Sequence, residues 1–94
     1  MLISVMLLEG AENAITGKEI CAALNITPRN LTAAIEKERR QGRPICASTG
    51  TPPGYFLAAN REEMESYCRS LTHRVGEIQK TWDACKKTMD ELPE

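Results

Sequence analysis

The spacing of apolar residues changes along this 94-residue chain, and each change marks an element. Leu2-Ile3-Ser4-Val5-Met6-Leu7-Leu8 is almost continuously apolar and stops at Glu9-Gly10, which predicts a short buried helix at the N-terminus, ended by glycine. A polar stretch follows, and Ile15 is read as a strand of one rung. Thr16-Gly17-Lys18-Glu19 has capping-box spacing, in which the Thr hydroxyl takes a free N–H of the first turn while Glu reaches back. Ile20, Ala23 and Leu24, with Cys21 beside them, form the apolar face of the helix so opened, and Asn25 can take the left-handed conformation that closes it.

A second helix starts at once, because Thr27 can cap and Pro28 at the first helical position has no N–H to lose. Its spacing turns Leu31, Ala34 and Ile35 inward and leaves Arg29, Asn30, Ala33, Glu36, Lys37 and Arg40 outside, over residues 28–41. Pro44-Ile45-Cys46-Ala47 and Tyr55-Phe56-Leu57-Ala58 read as two strands of a hairpin around a seven-residue tip, residues 48–54. Asn60 then caps a long helix. Its apolar positions, Met64, Cys68, Leu71, Val75, Ile78, Trp82, Cys85, Met89 and Leu92, alternate steps of four and three, a heptad seam. Some thirty helical residues span roughly 45 Å, more than the face of a small head domain can cover. Val75, Ile78, Trp82, Cys85, Met89 and Leu92 are therefore expected to bury themselves against a second copy, in either helix orientation, with Gly76 marking where the helix leaves its own domain.

These elements make a mainly α, α+β fold in the order α-β-α-α-β-β-α, divided into a head (residues 1–58) and a C-terminal dimerisation helix (residues 59–94). The run from Ile15 to Arg29 (Ile15-Thr16-Gly17-Lys18-Glu19-Ile20, Leu24-Asn25-Ile26-Thr27-Pro28-Arg29), with Gly42-Arg43-Pro44-Ile45 and Gly54-Tyr55-Phe56-Leu57, resembles the winged helix-turn-helix family, and within it the branch of the biotin-ligase repressor N-terminal domain and small phage or prophage DNA-binding proteins. The resemblance implies that the helix over residues 28–41 is the recognition helix and that the hairpin is the wing. Arg29 and Asn30 then stand in the first turn, where Arg can pair with guanine and Asn with adenine, and Thr27 and Ala33 lie on the same face. Lys37 and Arg40 suit phosphate, as do Lys18 and Arg43 on either flank. The wing tip departs from a basic wing: Ser48, Thr49 and Thr51 offer hydroxyls only.

Composition sharpens this picture. Twelve Lys and Arg against thirteen Asp and Glu give a net charge of −1, but residues 18–43 carry six bases and three acids while both flanks are acidic. Cys21, Cys46, Cys68 and Cys85 are 25, 22 and 17 residues apart, without metal-site spacing, and are expected to be small buried hydrophobes of a reduced, cytoplasmic protein. His73 has no nucleophile or carboxylate spaced to form a triad, and the glycines make no phosphate loop, so the expectation is a non-enzyme with no cofactor, no metal and no membrane span. The reading from sequence is a phage- or prophage-type transcriptional regulator that binds double-stranded DNA as a homodimer. Its alternative is a protein-interaction or assembly module that uses both the winged helix and the long helix to contact a protein partner.

Overall fold

The computed structural model describes residues 2–93. Two 3-10 turns, Ile3–Met6 and Ala11–Asn13, precede α1 (Gly17–Leu24), α2 (Pro28–Arg40), β1 (Ile45–Ser48), β2 (Gly54–Leu57) and α3 (Arg61–Glu91). The fold is mainly helical α+β, with one antiparallel sheet of two strands.

The N-terminal segment differs from the expected helix. It makes a single 3-10 turn and then runs extended, so that Leu57 N–H donates to the Leu8 carbonyl (2.8 Å) and Gly10 N–H to the Leu57 carbonyl (2.9 Å) along β2. Ile3 and Leu7 are buried while Val5 is 72% exposed. An unbroken apolar run has no period to separate helix from strand, and the exposed edge of β2 offers hydrogen-bond partners that only the tertiary structure supplies. The free N–H groups of Ile3 and Ser4 donate to the Glu38 carboxylate at 2.6 and 2.9 Å. Glu38, an outward residue by its charge, is thereby buried at the back of α2.

The helix starts follow the sequence closely. Thr16 accepts from Glu19 N–H (3.1 Å) and Glu19 accepts from Thr16 N–H (3.3 Å), completing the capping box of α1. Asn25 ends that helix in the left-handed region (φ 55°), and Thr27 caps α2 by accepting from Asn30 N–H at 3.1 Å. Ile20 and Leu24 do face inward, but Ala23 is exposed, since no neighbouring element reaches that side of so short a helix. Helix α2 closes at Arg40, and Gln41 is its cap.

The hairpin is covered on both faces at its base, and its alternation shows why. Ile45, Tyr55 and Leu57 join the core made by Ile3, Leu7, Ile20, Leu31 and Ile35, whereas Cys46 and Phe56, paired across the strands, turn the other way and pack on Tyr67 and Met64 of α3. Ile15 adds the expected single rung, exchanging hydrogen bonds with Tyr55 at 2.9 and 2.8 Å. That approach requires Gly54 beside it: at φ 124° a Cβ would stand 2.2 Å from the Ile15 carbonyl oxygen. Both four-residue strands lie one position nearer the tip than their sequence pattern suggests, leaving a five-residue tip at 49–53 rather than seven.

Asn60 caps α3 by accepting from Glu63 N–H at 2.9 Å. The Glu63 carboxylate does not close a capping box on Asn60; it accepts from Ala59 N–H (2.8 Å) and Ala11 N–H (3.0 Å), tying the helix start to the second 3-10 turn. Tyr67 is the last buried residue of α3, and Leu71 is already 37% exposed. The helix thus leaves the head about two turns before Gly76. The molecule is 52 Å long with a radius of gyration of 16.6 Å, against about 12 Å for a compact chain of this length. Among the described residues no helix is long and apolar enough to cross a membrane.

Candidate functional site

The exposed side of α2 is set by its buried side. With Leu31 and Ile35 in the core, positions 29, 33, 36 and 40 form one stripe on the opposite face, so Arg29, Ala33, Glu36 and Arg40 share it, and Lys37 and Asn30 flank it. All six side chains are exposed. Lys18 at the start of α1 and Arg43 just beyond α2 are exposed as well. Among the described residues the ion pairs are Arg61–Glu65, Lys80–Glu77 and Lys86–Asp90, all within α3, so Lys18, Arg29, Lys37 and Arg40 are left without an acidic partner, while Arg43, beyond ion-pair distance of any carboxylate, still acts on Glu38 by its charge. Thr27 spends its hydroxyl oxygen on the cap of α2. Its hydrogen remains available as a donor.

At the hairpin tip, Thr49 and Thr51 are exposed, whereas Ser48 is half-buried and its oxygen accepts from Gly50 N–H at 3.0 Å. Ser48 shapes the tip, and Thr49 and Thr51 carry its accessible hydroxyls. The tip has no charge of its own.

Two residues of α2 escaped the sequence pattern, Glu38 and Arg39. Both continue the spacing of Leu31 and Ile35 on to the next turn, which is the signal that could have placed them. Burial pushes the Glu38 carboxyl up, but hydrogen bonds from Ser4 and Ile3 and the Arg43 charge outweigh it and hold the group below its ordinary value. Arg39 donates through Nε to the Ile45 carbonyl at 2.9 Å, and its guanidinium lies 4.7 Å from the centre of the Tyr67 ring. Its Nη2 is buried with no hydrogen-bond partner among the described residues. Arg39 is therefore a junction between α2, β1 and α3.

Along α3, Val75 (65%), Ile78 (68%), Trp82 (56%) and Met89 (61%) are exposed on one continuous stripe, together with Cys85. Leu92, assigned to the same seam from spacing, is the C-terminal cap residue in extended conformation, outside the helix. Trp82 projects from the helix with a shallow hollow on each side, one lined by Ile78, Thr81 and Cys85 and the other by Cys85, Lys86 and Met89. A projecting side chain between hollows is the relief that knobs-into-holes packing uses.

The cysteines divide. Cys46 is buried, and burial with the nearby Glu63 carboxylate raises its thiol above the ordinary value. Cys21 is half-buried, but Cys68 and Cys85 are exposed on α3, against the expectation of four buried hydrophobes, because that helix runs beyond the head. Among the described residues no group of three or more His, Cys, Asp or Glu side chains could hold a metal ion. His73 is exposed. Compared with protein-family models, curated proteins and solved structures, the chain matches none.

Proposed function

We propose that this chain is a small winged helix-turn-helix regulator of the phage or prophage type, which binds duplex DNA as a homodimer. The observation that carries the reading is the outer face of α2: Arg29, Lys37 and Arg40 are exposed and without acidic partners on the face opposite Leu31 and Ile35. An α2 presented by a tight turn after α1 has the form of a recognition helix, whose first turn would bring Arg29 and Asn30 to base edges in a groove ~12 Å wide. Lys18, Lys37, Arg40 and Arg43 would neutralise phosphates, and Thr27, Thr49 and Thr51 would donate hydrogen bonds to the backbone. Val75, Ile78, Trp82, Cys85 and Met89 would pair with their copies, so that two heads bind at once and each compensates for the other's modest charge.

The test is binding to random-sequence duplex DNA across a salt series, with the mass in solution measured on the same sample. The expected result is a dimer whose affinity falls steeply with salt. The Arg29→Ala, Lys37→Ala double variant should lose that binding with its helical signal intact; retained affinity would sink the assignment of α2. A second reading is favoured by the net charge of −1, the uncharged tip and the bare apolar stripe of α3: an assembly module that docks a protein through α3. Absence of DNA binding at low salt would favour it.

A further inference from the structure

A groove of about 360 Å³ lies where α2, the hairpin and α3 meet, and three arginines line it: Arg39 and Arg40 from α2 and Arg74 from α3. Nothing in the sequence pattern links Arg74 to α2, which lies more than thirty positions away. It comes to the groove because position 74 is seven residues, two turns, beyond Tyr67 and so repeats the face by which α3 packs on the hairpin. The only acid of the lining is Glu36, and no carboxylate lies within ion-pair distance of any of the three guanidinium groups among the described residues. The groove therefore has an excess of two positive charges in a chain whose net charge is −1. Arg39 is fixed in orientation by the Ile45 carbonyl and the Tyr67 ring, while the Thr32 hydroxyl, also in the lining, donates to the Pro28 carbonyl of its own helix at 3.1 Å.

Guanidinium groups without a carboxylate partner, lining one groove, are complementary to an oxyanion with several acceptor oxygens, and a phosphodiester fits that description. We propose that this groove is a phosphate clamp for the DNA backbone, in which Arg74 of α3 closes on a phosphate from one side and Arg40 of α2 from the other. The proposal rests on the DNA-binding reading above and extends it to α3. The long helix then takes part in the grip as well as in pairing, and the register of the duplex is fixed on both sides of α2.

Arg74→Gln tests it against Arg69→Gln, which removes the same charge from the same helix two positions past Tyr67, on the side facing away from the groove. Full-length protein is titrated with random-sequence duplex DNA at several salt concentrations, and its solution mass is measured in parallel. The clamp predicts that Arg74→Gln weakens binding about tenfold and lowers the salt slope by about 0.9 for each protomer, with mass unchanged. Arg69→Gln should stay within about twofold of the parent, and Arg74→Lys should recover part of the loss, keeping charge without the fork. Equal effects of Arg74→Gln and Arg69→Gln, with the parent binding DNA, overturn the clamp and leave the assignment of α2 standing. A loss of affinity accompanied by a fall in mass also overturns it, since Arg74 would then act through pairing of α3. If the parent binds no DNA at low salt, both readings fall together.

Discussion

At the scale of single residues, the Glu38 side chain reaches from α2 to the first 3-10 turn. A carboxylate 3% exposed, accepting two backbone N–H groups of a segment more than thirty residues away, fastens the N-terminus to α2. Hydrogen bonds to a charged acceptor contribute about 1.5–3 kcal/mol each, so Glu38→Gln, which removes the charge and turns one acceptor into a donor, should cost about 2 kcal/mol at pH 7. The pH dependence has a definite sign. Because the folded state holds this carboxyl below its ordinary value, its contribution is complete above that ordinary value and is lost as the pH falls through the lower folded one. Urea unfolding of the parent and Glu38→Gln at pH 7 and pH 3 checks this; a stability gap that stays as wide at pH 3 would sink it.

Element by element, what could be read in advance was whatever local chemistry decides. Thr16 with Glu19, Asn25, Thr27 with Pro28, and Asn60 each stand at the helix end their side chains specify. The Ile15 rung and the paired strands were also legible, the first as an apolar residue closing a polar stretch and the second as two β-compatible runs around a turn-rich loop. What escaped depends on elements distant in sequence: the extended N-terminal segment needs the edge of β2, Arg39 needs Tyr67, and Arg74 joins a groove that exists only once α3 has packed. The charged faces assigned to DNA were visible as exposed positions, whereas the charge of Glu38 masks what its spacing indicates, a place inward with Leu31 and Ile35. Within α3, Gly76 is the weak link, and a Cβ there would meet nothing within 4 Å. Gly76→Ala should therefore stabilise the distal half of the helix by about 1 kcal/mol. Slower amide exchange over residues 77–90, with rates in the head unchanged, is the expected signature; faster exchange would mean that the glycine is needed for a bend.

For the molecule as a whole, the dominant fact is a head of ordinary proportions with a bare helix leaving it, 52 Å from end to end. Trp82 is the chain's single tryptophan and sits in the middle of the exposed stripe, which makes it a reporter of the proposed pairing. Its emission should move to shorter wavelength as protein concentration rises, in step with the solution mass, and Trp82→Glu should leave a monomer with a folded head. Emission characteristic of a solvated indole at every concentration would leave α3 without a second copy. The joint between head and helix decides what such a dimer could read. Beyond the cap at Asn60 and the Glu63 bridge, α3 is held by Tyr67 against Cys46 and Phe56, with Arg39 braced between that ring and the Ile45 carbonyl. Arg39 thus works as the stiffener of a wrist. In a pair of such molecules the angle of that wrist would set the distance between the two hands, and so the length of spacer tolerated between two half-sites; loosening it would blur that measurement while leaving each hand's own grip intact.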